Sequence, residues 1–245
     1  INSGRLSADD DAALGAAGNN IAIAAGANVI LDIRGDTDTA RTVLIGDGGQ
    51  VQLAGERVGS AQISGNGNVY VAFDNLALSN DASDYTGSTT FRGCNGVCSF
   101  YFTSIGNLGE ASSLGAPTDA TLGTILFNQS SQYSDSLIYI GDGDSSNRNW
   151  ALNGAAAIIR NQGTGTLSLA GDISGNGASQ FAAEDADIEL LGEISGTTSL
   201  VLGGNAGRTI TLGATNSYTG ASTIQNITVV APALANSGVN SSFEI

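Results

Sequence analysis

The chain has 245 residues, of which 41% are apolar, only 6% aromatic and 13% charged, with 35 glycines and 2 prolines. Eight arginines stand against 23 aspartates and glutamates, and lysine, histidine and methionine are absent, so the net charge is −15. Such a field repels nucleic-acid phosphates and anionic membranes. A chain without imidazole has no Ser-His-Asp triad, no Cys-His pair and no histidine metal site.

A compact globule of this length wants more large apolar side chains, whereas a stack of short strands needs only a narrow inward strip on each rung. The predicted elements are strand after strand. In chain order they are Asn20–Ile23, Asn28–Ile33, Thr42–Ile45, Gln50–Ala54, Gln62–Ser64, Asn68–Phe73 and Leu76–Ser79. After a gap come Thr124–Asn128, Leu137–Ile140, Ala156–Asn161, Thr166–Ala170, Ile188–Leu191, Ser199–Leu202, Thr209–Leu212 and Thr223–Val230. They run three to eight residues, mostly alternate apolar with polar, and are separated by Gly-Asn, Asp-Gly and Gly-Thr-Gly turn phrases. Asp9–Ala17 has the alanine content of a helix, but Gly15 and Gly18 weaken it. No run approaches the 18 apolar residues of a membrane helix, and no basic start marks a signal peptide. The chain opens on Ile1 and stops inside a repeated phrase, so it reads as a piece of something longer.

The repeated phrase is the strongest signal. Asn80-Asp81-Ala82-Ser83-Asp84-Tyr85-Thr86-Gly87-Ser88-Thr89-Thr90-Phe91 returns as Ala214-Thr215-Asn216-Ser217-Tyr218-Thr219-Gly220-Ala221-Ser222-Thr223-Ile224. Leu108-Gly109-Glu110-Ala111-Ser112-Ser113-Leu114 returns as Ser237-Gly238-Val239-Asn240-Ser241-Ser242-Phe243. The copies lie 133 residues apart at the tyrosines and 129 at the serine pairs, and the difference falls where the first copy alone holds Cys94-Asn95-Gly96-Val97-Cys98. Ile63-Ser64-Gly65-Asn66-Gly67 is echoed by Ile173-Ser174-Gly175-Asn176-Gly177, and Gly35-Asp36-Thr37-Asp38 to Arg41 by Gly141-Asp142-Gly143-Asp144 to Arg148. The expected units are 1–79, 80–213 and 214–245, each built of rungs of about 20 residues.

One ordered series carries a resemblance. It runs Asp172-Ile173-Ser174-Gly175-Asn176-Gly177, Ser199-Leu200-Val201-Leu202-Gly203-Gly204, Thr209-Ile210-Thr211-Leu212-Gly213-Ala214, then Asn216-Ser217-Tyr218-Thr219-Gly220. This resembles the autotransporter-associated β-strand repeat of bacterial type V passenger domains, well from Leu76 to Ile245 and loosely before. It departs at Gln180–Asp187 and at Ile227-Thr228-Val229-Val230. The resemblance implies an all-β, right-handed parallel β-helix exported to the bacterial surface and held by a C-terminal barrel outside this chain. About a dozen rungs would give a rod of roughly 60 Å.

Cys94 and Cys98 are expected to close a small disulfide loop in an oxidising, extracellular setting, with free thiols as the alternative. Two cysteines without histidine make no zinc site, and the three-residue spacing is not that of a redox pair. Phe91, Phe100, Tyr101 and Phe102 form the most aromatic stretch, either packing the loop onto the rod or presenting a contact patch. Trp150 is either a carbohydrate platform or, in the simpler reading, an apolar plug. Asp9-Asp10-Asp11, Asp36-Thr37-Asp38, Asp142-Gly143-Asp144 and Glu184-Asp185-Ala186-Asp187 carry calcium-type oxygens. None matches a known calcium loop, and turn-forming side chains explain them more simply.

A polysaccharide-cleaving centre needs converging carboxylates, and an anionic-substrate cleft needs cations. The scattered Arg5, Arg34, Arg41, Arg57, Arg92, Arg148, Arg160 and Arg208 do not supply one. Ser112-Ser113 and Ser241-Ser242 read as turn residues. No cofactor, metal or catalytic residue is assigned. The expected role is an adhesin segment that binds host matrix or cell-surface glycoproteins through a rod face and loops. The alternatives are self-association and a spacer for a distal domain.

Overall fold

Parallel pairing governs every strand of the computed structural model, which describes residues 1–16, 18–33, 41–54, 60–72, 75–92, 97–128, 135–154, 156–231 and 243–244. The chain coils so that successive strands in one direction stack into one sheet. Sheet I holds nine: Gly4–Ala8, Asn28–Ile33, Gln50–Ala54, Asn68–Val71, Thr89–Arg92, Ile125–Asn128, Trp150–Asn153, Ile173–Gly175 and Ile194–Gly196. Sheet II holds eight: Ala77–Leu78, Ser99–Phe102, Asp135–Tyr139, Ala156–Asn161, Ala178–Ala183, Ser199–Gly204, Ser222–Gln225 and Phe243–Glu244. Sheet III collects Asp144–Ser146, Leu167–Leu169, Ile188–Leu190, Thr209–Leu212 and Thr228–Val230, and sheet IV collects Ile21–Ile23, Thr42–Ile45 and Gln62–Gly65. This is a parallel β-helix. Its nine rungs along sheet I span about 40 Å at a spacing of about 4.8 Å, fewer than the expected dozen because the turns between Gly4 and Ile194 average about 24 residues and not 20, and the strands after Gly196 lie in sheets II and III.

Stacking dictates what points inward. On sheet I the column Val29, Val51, Val69, Thr89, Ile125, Trp150, Ile173, Ile194 is sealed from solvent, as is Phe100, Leu137, Ile159, Phe181, Leu202 on sheet II. Each such side chain contributes about 1.5–3 kcal/mol of burial. Alternation therefore located five strands to the residue: Asn28–Ile33, Thr42–Ile45, Gln50–Ala54, Ala156–Asn161 and Thr209–Leu212. It missed Gly4–Ala8, Thr89–Arg92, Ser99–Phe102, Asp144–Ser146, Trp150–Asn153, Ile173–Gly175, Ala178–Ala183 and Ile194–Gly196. The expected strand Thr223–Val230 is two, broken at Asn226, whose φ of 54° is left-handed. In place of a helix at Asp9–Ala17 there is a single tight turn, Asp11–Leu14, capped by the Asp10 carboxylate on the Ala13 N–H at 2.9 Å.

The repeated phrases explain themselves once stacked. Tyr85 and Tyr218 both point inward, and each hydroxyl meets the hydroxyl four residues on, Thr89 at 2.7 Å and Ser222 at 2.5 Å. The glycine between lies against the turn before it. A Cβ on Gly87 would stand 2.1 Å from the Gly67 carbonyl oxygen, and one on Gly220 would stand 2.2 Å from that of Thr198. Tyr-Thr-Gly is thus a folding phrase.

The two copies do not sit on the same side of the rod. Thr86 donates to Gly65 of sheet IV, and Thr89 opens a strand of sheet I. Thr219 donates to Gly196 of sheet I, and Ser222 opens a strand of sheet II. The Ile-Ser-Gly-Asn-Gly echo shifts the same way, from sheet IV at Ile63 to sheet I at Ile173. Along sheet I the paired positions Gly4, Val29, Val51, Val69, Thr89, Ile125, Trp150, Ile173 and Ile194 are 25, 22, 18, 20, 36, 25, 23 and 21 residues apart. The 36-residue turn inserts the extra side, and everything after it is rotated by one sheet.

Tyr85→Phe is expected to lower stability by about 1 kcal/mol through the lost buried hydroxyl contact. Gly87→Ala is expected to cost more, because a backbone carbonyl must move. Urea midpoints of the two variants test this, and a Gly87→Ala protein as stable as the parent would contradict the stacking account.

Candidate functional surface

The 36-residue turn also carries an ordered projection. The chain leaves sheet II at Phe102, and its next inward residue is Ile105. It returns as the buried stretch 112–117, which lies on the turn before: Ser112 donates to Ser83 at 3.1 Å and Ala116 to Tyr85 at 2.9 Å. Ser113 and Ser104 bind each other's backbones, with contacts of 2.7, 2.8 and 3.1 Å, and the Ser112 hydroxyl donates to the Gly115 carbonyl at 2.9 Å. That serine pair is a hinge pin. The other pair, Ser241-Ser242, lies outside the described residues.

Two prongs stand out from this base. In the first, Glu110 accepts the backbone and side-chain N–H groups of Asn107, both at 3.0 Å. In the second, Asp119 caps the short helical turn Ala120–Gly123. It takes the N–H groups of Thr121 at 2.8 Å and Leu122 at 3.1 Å. The N–H of Leu122, then that of Thr121, hold its carboxyl below the ordinary range. The Gly109 N–H donates to Pro117 at 2.9 Å and joins the prongs. Glu110, Thr118, Asp119, Thr121 and Leu122 are exposed at the tip.

Beneath the projection lies a groove of about 330 Å³ lined by Asp81, Thr103, Ser104, Tyr139, Asp142 and Asp144. Its carboxylates are engaged in holding the chain. Asp81 accepts the Thr103 and Ser104 hydroxyls, both at 2.6 Å, and Asp142 accepts Thr164 at 2.9 Å. Asp144 accepts the Ile105 N–H at 3.1 Å and the Tyr139 hydroxyl at 3.2 Å. Burial, aided by the charge of Asp81, raises the Asp144 carboxyl, and burial likewise raises Tyr139. Among the described residues no group of three acidic or cysteine side chains is arranged to hold a metal ion.

The acidic runs named from sequence lie in turns where they are described, except Asp144, which opens the strand Asp144–Ser146. Asp10 caps and Asp11 pairs with Arg41, Glu184 pairs with Arg160, and Asp187 takes the Thr209 N–H at 2.9 Å. Asp36, Asp38, Arg34 and Arg57 lie outside the described residues, as does Cys94. Cys98 is buried, and its N–H donates to Asp135 at 2.9 Å.

The aromatic contact patch is corrected. Phe91, Phe100 and Phe102 have no exposed surface and only Tyr101 faces outward, half-buried. They fill the cross-section of the widened turn, with ring centroids 5.7 Å apart for Phe91–Phe100 and 5.4 Å for Phe102–Tyr139. Trp150 closes the same cluster 6.4 Å from Phe102, so it is an inward plug and not a sugar platform. What the outer face of sheet I offers instead is a row of Gln52, Tyr70, Leu126, Ala151 and Ser174, interrupted at the buried Thr90, with the Arg92 guanidinium stacked 4.4 Å over Tyr70. Sequence reasoning missed the projection at 107–122, although the unequal spacing of the repeats pointed to that turn.

A stack of parallel coils built on Ile-Ser-Gly-Asn-Gly and Tyr-Thr-Gly phrases is the β-helix that the resemblance to autotransporter passengers implies. The chain is 43% identical over 252 residues to the Adhesin BmaC autotransporter of Brucella suis biovar 1 (strain 1330). The match covers 97% of this chain and 7% of that protein. The chain belongs to the bacterial autotransporter passengers. No family model and no solved structure matches it, and no helix among the described residues is long and apolar enough to cross a membrane.

A raised Asp144 makes a pH prediction. The folded state holds this proton to higher pH than the unfolded chain, so its contribution is fullest below the ordinary carboxylate range. That contribution is lost as pH rises through that range to the raised value. Asp144→Asn keeps an acceptor for Ile105 and cannot ionise. It is expected to gain on the parent in urea stability between about pH 4 and pH 7. Midpoints that run parallel across that interval would refute the assignment.

Proposed function

We propose that this chain is part of a bacterial cell-surface adhesin, exported to the outside of the cell. It meets host matrix or cell-surface glycoproteins through the rod face and its projecting loops. The observation that supports this most is the similarity to an adhesin autotransporter along nearly the whole chain. A rigid rod suits the task, since each rung touches only its neighbours and the surface can vary without unfolding the stack. Polar ladders and a few half-buried apolar side chains make a broad, weakly specific face, and the ordered projection at 107–122 adds a shaped one. The Cys94–Cys98 pair is proposed to close a second loop as a disulfide.

The net charge of −15 favours cationic regions of a partner and disfavours nucleic acid and anionic lipid. The role is non-catalytic, as the groove carboxylates are committed to backbone and hydroxyl groups. A spacer is the second reading. It is favoured by regular inter-rung ladders such as Asn149 to the Asp172 N–H at 2.9 Å and Asp172 to the Glu193 N–H at 3.0 Å. Self-association of the polar faces is a third mode.

The test is binding of the chain to immobilised basement-membrane extract and to fixed epithelial cells. Two variants accompany it, one with 93–99 and one with 107–122 replaced by a short Gly-Ser turn, each shown to be folded by circular dichroism. Saturable binding by the parent, weakened about tenfold or more in one variant, is expected. Binding by none of the three proteins would overturn the adhesin reading in favour of the spacer, and concentration-dependent light scattering would report self-association.

A further inference from the structure

The projection at 107–122 is held from below by one short phrase of the next turn, Asp144-Ser145-Ser146-Asn147-Arg148. Four of its five residues reach up to it or to the two residues that lead into it. Asp144 takes the Ile105 N–H at 3.1 Å, and the Ser146 hydroxyl donates to the Gly106 carbonyl at 2.8 Å. Asn147 accepts the Leu108 N–H at 2.9 Å and donates its own N–H to Asn107 at 3.0 Å. Arg148 reaches furthest: Nη1 donates to the Leu114 carbonyl and Nε to the Gly123 carbonyl, both at 2.7 Å. Leu114 and Gly123 bracket the second prong. Arg148 has no exposed surface, and among the described residues no carboxylate pairs with it. A desolvated guanidinium kept for two carbonyl oxygens is costly unless it holds something in place.

The same device occurs a second time. Arg41 is equally buried and ends the parallel phrase that begins at Gly35. Its guanidinium donates to the carbonyls of Asp11, Ala16, Asn19 and Gly15, at 3.0, 2.8, 3.0 and 2.7 Å, and to the Asp11 carboxylate at 2.6 Å. That gathers the turn 11–16, together with Asn19, in the coil before it. In both cases the arginine lies one turn after the excursion it holds and just before a strand, Thr42–Ile45 or Trp150–Asn153.

We propose that Arg148 is a positioning residue for the surface at 107–122, that Arg41 is its counterpart for 11–16, and that the Gly-Asp-x-Asp…Arg phrase marks a projection carried by the preceding turn. This rests on the adhesin reading only for the consequence to binding; the clamp itself is tested without a ligand. Amide hydrogen exchange is compared among the parent, Arg148→Met, Arg148→Lys and Arg41→Met. Loss of two charge-assisted bonds is expected to speed exchange of the Gly109, Thr121 and Leu122 amides about tenfold or more in Arg148→Met. The amides of Leu202 and Ile210, several turns away, should keep the parent rate. Arg148→Lys is expected to restore little, since a single ammonium cannot span both carbonyls. Arg41→Met should loosen 11–16 and leave 107–122 unchanged.

Uniform acceleration along the whole rod, unchanged exchange at 107–122, or full rescue by lysine would each overturn the proposal. Where the parent binds basement-membrane extract, Arg148→Met should weaken that binding chiefly through faster dissociation. If the parent does not bind, the adhesin reading fails while the exchange data still judge the clamp.

Discussion

Everything in this molecule depends on the contact between one coil and the next. Parallel backbone ladders bring successive rungs to about 4.8 Å, so a residue is chosen less by its neighbours in sequence than by the residue above it. Gly87 must be glycine because Gly67 presents a carbonyl oxygen there. Phe181 is tolerated because Ile159 and Leu202 lie above and below it in one sealed column. The low aromatic and charged content follows from the same constraint. Each rung adds a thin slice of core, and the outer faces are kept soluble by hydroxyls and amides that bond along the stack.

The one place where this economy breaks is the turn of 36 residues. Widening the coil leaves a larger cross-section to fill, and the sequence fills it with Phe91, Phe100, Phe102, Tyr139 and Trp150. Read in isolation, an aromatic run beside a cysteine-bounded insertion suggests a sticky surface. Read in the stack, it is the packing required where the chain inserts an additional side. That insertion rotates every later copy of the repeat by one sheet, so identical phrases face different directions on the two halves of the rod.

Much of the fold was legible because period-two alternation reports an inward face directly. It failed where the column position is not aliphatic. Asp144–Ser146 hides because Asp144 occupies the inward column above Leu167 and Ile188. Ala178–Ala183 hides because its alanines and serine carry little hydrophobic signal, although Phe181 lies in the core. The departure from passenger repeats at Gln180–Asp187 begins inside that strand, which runs to Ala183 before the turn at 184–187. The surface was less legible still. Whether a polar loop is ordered depends on partners 30 or 40 residues away, such as Asn147 for Leu108 and Ser146 for Gly106, and no local pattern announces them.

The arginines connect these levels. With no lysine in the chain, every cation is a planar fork able to hold two or more acceptors at once. On the surface the fork stacks on Tyr70 or pairs with Glu184, contacts of small energetic weight in water. In the interior, at Arg41 and Arg148, it binds carbonyl oxygens that an excursion has pulled out of the ladder, and at Arg148 these contacts are buried. A solenoid can lengthen a turn at modest entropic cost, but it must then satisfy the carbonyls the detour leaves behind. A buried guanidinium in the following turn does this without adding a strand. The regular rod and its variable projections are in this way separable parts of one chain.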